Sequence, residues 1–202
     1  MCGAATERLH TRNRGRKPRQ ALSQPLSKSA QAGGVKGRYR GQRENNEDPG
    51  GQEMNHEQDY PAKYLTGILK EVKTIAMVGA SSDPAKFSYG VLRVLHETGY
   101  DMIPVNPNEA GGDIRGLKCV ESLAAIDRPV DMVEVFRTSE DAYAVTEEAI
   151  EIGAKVVWMQ IGVRNDAAAA LAEAAGLKVV MNRCPKIELF RPFWRPRLNQ
   201  AI

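Results

Sequence analysis

Five short apolar runs, Thr74–Val78, Asp101–Val105, Asp131–Phe136, Lys155–Met159 and Leu177–Met181, are separated by segments of helical pattern. This alternation constrains the chain more than any other feature. Buried strands joined by helical crossovers specify a parallel sheet. The predicted helices are 60–70, Phe87–Thr98, a short one around Glu121–Ile126, Ser139–Ile152 and Asn165–Ala175. In the second of these, Val91, Leu92 and Leu95 form the apolar stripe. Ser139 is the expected N-cap of its helix, with Glu140 and Asp141 in the first turn. Gly153 and Gly176 stand where helices commonly end in a left-handed residue. The fold class is therefore α/β: a Rossmann-like, doubly wound, parallel five-stranded sheet with helices on both faces. The expected strand order is 3-2-1-4-5.

Composition divides the 202 residues at Met54. Residues 1–53 carry eleven Lys/Arg against five Asp/Glu, whereas 54–202 carry seventeen against twenty. The first stretch is rich in Arg, Gln, Gly, Asn and Ser, and its apolar residues follow neither period. Such a segment cannot bury enough surface to offset its ordering entropy, so it is expected to be a disordered basic extension. Two accounts of it are open, a basic tail for acidic partners or a translated leader upstream of a true start at Met54. The abrupt change at that methionine favours the second. The basicity thus lies outside the folding region, which counts against a nucleic-acid partner. The remainder, 54–202, is the expected ligand-binding domain, and the chain's 42% hydrophobic content suffices for one core.

No run approaches the roughly 20 apolar residues of a membrane span. Three cysteines, Cys2, Cys119 and Cys184, are odd in number, widely spaced and without a CxxC pair. They argue against a disulfide framework or a metal site and for a reducing cytoplasm. The oligomeric state is not written in the pattern, and a homodimer is left open.

In an open parallel sheet, ligands bind beyond the carboxyl ends of the strands, where the winding reverses. The residues just after each strand are therefore the candidates. Strand one is followed by Gly79-Ala80-Ser81-Ser82-Asp83-Pro84, with Lys86 before the helix. A glycine turn, two hydroxyls, a helix N-terminus and a lysine suit a pyrophosphate. An ordinary serine-capped turn would look similar. The usual dinucleotide fingerprint is incomplete, because Ser81 and Pro84 replace its second and third glycines. Strand two leads into Asn106-Pro107, with no carboxylate at its end for the ribose hydroxyls of NAD. Pro104 and Pro107 offer a rigid apolar wall for a base. Phe136-Arg137 after strand three suits a ring and a phosphate, although Phe136 equally suits the core. Gln160-Ile161-Gly162 follows strand four, and Trp158 before it reads as core. Asn182-Arg183-Cys184-Pro185-Lys186 follows strand five.

The motifs GASSDPAKFSYGV, GYDMIPVNP, VDMVEVFR, GAKVVWMQIGV and GLKVVMNRCPKIE, in this order, resemble the small stand-alone CoA-binding domain proteins of bacteria and archaea. That family in turn resembles the CoA-binding domain of the succinyl-CoA synthetase α subunit. The resemblance covers about residues 60–192. It implies coenzyme A or an acyl-CoA as the bound cofactor. Gly79, Ala80, Ser81, Ser82 and Lys86 would take the pyrophosphate. Asn106, Pro107, Phe136 and Arg137 would flank the nucleotide, and Gln160, Ile161 and Gly162 would meet the pantetheine arm. The synthetase reaction also needs a phosphohistidine and an ATP-grasp partner. The histidines here are His10, His56 and His96, and none follows a strand in a loop.

No Ser-His-Asp set, paired carboxylates at a strand end or metal spacing is present in the sequence. The reading is therefore a CoA-binding protein with a regulatory or carrier role rather than an enzyme. An NAD(P)-dependent oxidoreductase or epimerase on the same fold is the alternative. Cys184 is the one reactive candidate, because Arg183 and Lys186 beside it would favour its thiolate. A packing role is its plain alternative.

Overall fold

A computed structural model describes residues 54–191, all within the second of the chain's two units, Arg43–Ile202. The basic extension, with its expected disorder, lies outside the described residues. In chain order the elements are α1 (Ala62–Glu71), β1 (Thr74–Val78), α2 (Phe87–Glu97), β2 (Asp101–Val105), β3 (Asp113–Ile114), β4 (Leu117–Lys118), a 3₁₀ turn (Leu123–Ala125), β5 (Met132–Val135), α3 (Ala142–Glu151), β6 (Val156–Met159), α4 (Asp166–Ala174), β7 (Lys178–Val180) and α5 (Pro185–Leu189). The five predicted strands are β1, β2, β5, β6 and β7, and they form one parallel sheet. The antiparallel β3–β4 hairpin and α5 were not anticipated. The hairpin turns on Arg115 and Gly116, both at positive φ.

The sheet separates two apolar layers because side chains alternate along each strand. Ile75, Met77, Met132 and Trp158 face α1, α2 and α5, where Ile68, Leu69, Leu92, Leu95 and Leu189 meet them. Ala76, Val133, Val135 and Val157 face α3 and α4. The alanines of α4, Ala168, Ala169 and Ala172, are buried and let that helix lie close to the sheet. The edge of β7 is closed by α1: the Tyr64 hydroxyl bonds both the carbonyl and the amide of Val179 at 3.1 Å. Just upstream, the Tyr60 hydroxyl accepts the Met181 amide at 2.8 Å.

The strand order is β2-β1-β5-β6-β7, which is 2-1-3-4-5 and not the expected 3-2-1-4-5. The cause lies in β2. Its Pro104 has no amide hydrogen, and the Pro104 carbonyl accepts the Val120 amide at 3.0 Å on the strand's outer side. Val105 bridges Val120 on the same side. A strand lacking a donor on one side belongs at a sheet edge. That edge is partly covered by the connection to β5, so β5 pairs with β1 instead. The winding therefore reverses between β1 and β5.

One cap also differs from expectation. Ser139 does not cap α3, which begins at Ala142 with no side-chain cap, so Glu140 and Asp141 precede its first turn. The Ser139 hydroxyl instead accepts the Arg164 amide at 3.1 Å, tying the β5 loop to the β6 loop. Gly153 and Gly176 close α3 and α4 at positive φ, as expected.

Candidate functional site

The loops after β1 and β5 part company at the point where the winding reverses, and Gly79 sits in the cleft between them. Its φ is +90°, and a Cβ built there would lie 2.5 Å from the Phe136 carbonyl oxygen. The glycine is thus required by the neighbouring strand end itself. The Gly79 amide continues the ladder to Val105 at 2.9 Å, and the Phe136 amide continues it to Val78 at 2.8 Å. Ala80 is fully buried.

Beyond Ala80 the chain leaves the sheet and exposes its donors. Asp83 organises the turn: its carboxylate accepts the Ala85 amide at 2.9 Å, and its carbonyl accepts the Lys86 amide at 3.0 Å. Lys86 is exposed. No side chain caps α2, so its first-turn amides keep their positive end toward this edge. The Ser81 hydroxyl and the Ser82 amide converge on one anion, the carboxylate of Glu109, at 3.0 and 2.7 Å. Those contacts, the Ser82 contact foremost, hold the Glu109 carboxyl below the usual carboxylate range. Glu109 was not singled out in the sequence. It stands four residues beyond β2, and nothing local announces that its side chain returns to the β1 loop.

Asn106 braces rather than offers. Its amide nitrogen donates to the Ala80 carbonyl at 2.7 Å, and its oxygen accepts the Asn108 amide at 3.0 Å. Pro107 is exposed beside it, whereas Pro104 lies within β2, so only one of the two prolines faces the edge. Phe136 is partly buried against the α2 layer. Arg137 is exposed and pairs with Asp141 at 3.2 Å, an exposed contact that a phosphate can replace at little cost. Gln160 points inward: its nitrogen donates to Glu134 at 3.2 Å, and its oxygen accepts the Ile161 amide at 2.8 Å. Ile161 is 56% exposed, and the amide of Gly162 is held by Asn182 at 2.8 Å. Trp158 is core, as read from sequence, and donates to the Arg183 carbonyl at 2.8 Å.

Phe87 was missed. It opens α2 at 90% exposure, off the stripe of Ser88, Val91, Leu92 and Leu95. An aromatic at that position, next to the serine loop, is the signal sequence reading could have used. The carboxyl edge therefore carries a donor-rich turn and apolar side chains at Phe87 and Ile161. A groove of about 470 Å³ flanks β2, but it is lined by the start of that strand, the hairpin and residues 125–128, away from this edge.

Behind the edge lies a buried polar cluster that sequence reading also missed. Glu134 on β5 is fully buried, with one carboxyl oxygen unpartnered, and burial pushes its pKa up to about 8. Cys184, N-cap residue of α5, is buried next to it. The proposed thiolate does not follow from this environment. Arg183 is drawn to Asp59 and lies over the Tyr60 ring. Burial, with the Glu134 carboxyl adding to it, pushes the Cys184 thiol up against the pull of the Ile187 and Lys186 amides and the Gln160 side chain. Burial likewise raises Cys119. Both thiols are therefore expected to react slowly with Ellman's reagent at pH 7 in the native protein, with adducts mapped by mass spectrometry. Rapid native-state labelling of Cys184 would reinstate the activated thiol.

A doubly wound parallel sheet with its winding reversal between β1 and β5 defines a Rossmann-like α/β domain, the class whose ligands sit at that reversal. Within that class the chain belongs to the CoA-binding domain family, whose model matches residues 73–189. It is 41% identical over 120 residues to YneT of Bacillus subtilis, an uncharacterized protein, across 59% of this chain and 87% of that one. It is 35% identical over 91 residues to the I subunit alpha of the ADP-forming acetate–CoA ligase of Pyrococcus furiosus. That match spans 42% of this chain and 19% of the ligase subunit. A hypothetical protein from Pyrococcus horikoshii OT3 shares the fold with a TM-score of 0.64 and 36% identity, over 70% of this chain and 99% of that one. A Thermus thermophilus protein does so with a TM-score of 0.63 and 34% identity, over 65% and 98%. Among the described residues, no helix is long and apolar enough to cross a membrane.

Proposed function

We propose that this chain binds coenzyme A or an acyl-CoA along the carboxyl edge of its sheet, as a binding or carrier module without a reaction of its own. Membership of the CoA-binding domain family over residues 73–189 carries this reading, because that span contains the whole edge. The ligand's pyrophosphate lies on the turn from Gly79 to Ser82, with Lys86 beside it. The nucleotide runs between Pro107 and the Phe136-Arg137 loop, with Asn106 fixing the wall. The pantetheine arm passes Ile161 and Gly162, with Gln160 fixing that loop from behind. Phe87 covers part of the ligand from the α2 side. The acidic balance of 54–202 makes no demand for nucleic acid, and the proposed location is the cytoplasm.

Thermal unfolding of the full chain tests this. Coenzyme A is expected to raise Tm with concentration, adding about 2.7 kcal/mol at a hundredfold excess over Kd. Acetyl-CoA is expected to do the same and NAD not. A larger rise with NAD or NADH than with coenzyme A would overturn the reading in favour of a nicotinamide enzyme.

A further inference from the structure

The donors that would hold a ligand phosphate are already occupied by the protein's own anion. The Ser81 hydroxyl and the Ser82 amide both bond the Glu109 carboxylate, one to each oxygen. Glu109 is held in place by its own turn: its amide donates to the Asn106 carbonyl at 3.1 Å, and its carbonyl accepts the Gly112 amide at 3.0 Å. Asn106 in turn grips the Ala80 carbonyl, so the β1 and β2 loops are tied at two points, one through Asn106 and one through Glu109. Asp83 is the neighbouring carboxylate and is directed onto the Ala85 amide. Two negative groups cannot share these two donors, because like charges at contact distance repel and each would lack half its partners.

We infer that Glu109 is a built-in competitor for the phosphate site. It closes the Ser81–Ser82 turn in the free protein, and a phosphate of the ligand displaces it. This rests on the reading of the turn as the pyrophosphate position. The displaced carboxylate swings into solvent with the exposed 107–112 segment, and the ligand-free turn stays ordered instead of presenting unpaired donors. A ligand with a single weak anionic group gains nothing by exchanging one carboxylate for another. A pyrophosphate, with more charge and more acceptor oxygens, does. Glu109 thereby selects for polyphosphate ligands, at the expense of apparent affinity, because only the fraction of molecules with the turn open is competent to bind.

The test is calorimetric titration of the full-length wild type, E109A and E109Q with coenzyme A and with inorganic pyrophosphate at fixed ionic strength. The control is E140A, which removes an exposed carboxylate from the β5 loop at the same sheet edge. E109A is expected to bind both probes about five- to thirtyfold more tightly than wild type. E109Q is expected to gain less, because its oxygen still accepts one bond. Its ligand-free Tm is expected to fall or stay level, since a tie between loops is lost. A purely structural Glu109 predicts the opposite, weaker binding from a disordered turn. Unchanged or weaker pyrophosphate binding by E109A overturns the competitor role, as does an equal gain in E140A. Wild type that binds coenzyme A without any gain in E109A overturns the competitor and leaves the CoA reading standing. A gain for pyrophosphate with no binding of coenzyme A by either protein does the reverse.

Discussion

Replacing Gly79 by alanine is expected to destabilise the protein by about 2–5 kcal/mol. The left-handed backbone accounts for about 1–2 kcal/mol in a residue with a Cβ. The contact with the Phe136 carbonyl accounts for about 1–3 kcal/mol more, as overpacking does elsewhere. Neither can relax cheaply, because β1 and β5 are adjacent central strands locked at Val78 and Val135. Gly162 supplies the comparison. Its φ is +84°, but a Cβ there meets nothing within 4 Å. Gly162→Ala is therefore expected to cost the backbone share alone, about 1–2 kcal/mol. Urea unfolding of both variants checks this, and equal losses would remove the Phe136 contact from the account. Gly79→Val, which adds a branched side chain at the same contact, likewise does not isolate ligand binding from folding.

Stability is expected to fall as pH rises from about 5 to about 8, with Glu134 as the cause. The folded carboxyl titrates near 8 against an ordinary value of 4.5. Between those values the folded state holds a proton that the unfolded state has lost. Stability then declines by about 1.4 kcal/mol per pH unit. The contribution is whole below the unfolded pKa and is gone once pH passes the folded one, a span of roughly 3–5 kcal/mol. Glu134→Gln keeps an acceptor for Gln160 and cannot ionise, so its stability is expected to vary far less over this range. The variant overtakes wild type toward pH 8. Denaturant unfolding at pH 5, 6.5 and 8.5 measures the crossing, and parallel curves for the two proteins would mean that Glu134 is charged throughout.

Both effects arise where the chain's local pattern is silent. The strand at Met132–Val135 reads as apolar with one acid, and alternation places that acid on a face without saying how deep the face is buried. Trp158 and Met77, its register neighbours, come from strands far away in sequence and seal it. Cys184 illustrates the same limit. Arg183 and Lys186 flank it in the chain, yet the titratable group that faces it is the buried Glu134 carboxyl from another strand.

The sequence by itself determined the five strands of the sheet, helices α1 to α4, the parallel pairing and the family. Period-two and period-3.6 burial and glycine punctuation are local properties that survive in a one-dimensional record. It also held one sign of the winding, because Pro104 marks its strand as an edge. Tertiary structure decided the rest. Either strand order buries the same faces, so periodicity could not choose between them. The choice fell to a missing amide on β2 and to the connection that bridges its outer side at Val120. The Glu109 carboxylate meets the serine turn across 27 residues of chain, by the return of a loop no propensity encodes. Gly79 is fixed by a carbonyl on a strand more than fifty residues later. Contacts between distant segments depend on where the loops lie in space, and that is settled only when the whole sheet has closed on its two apolar layers.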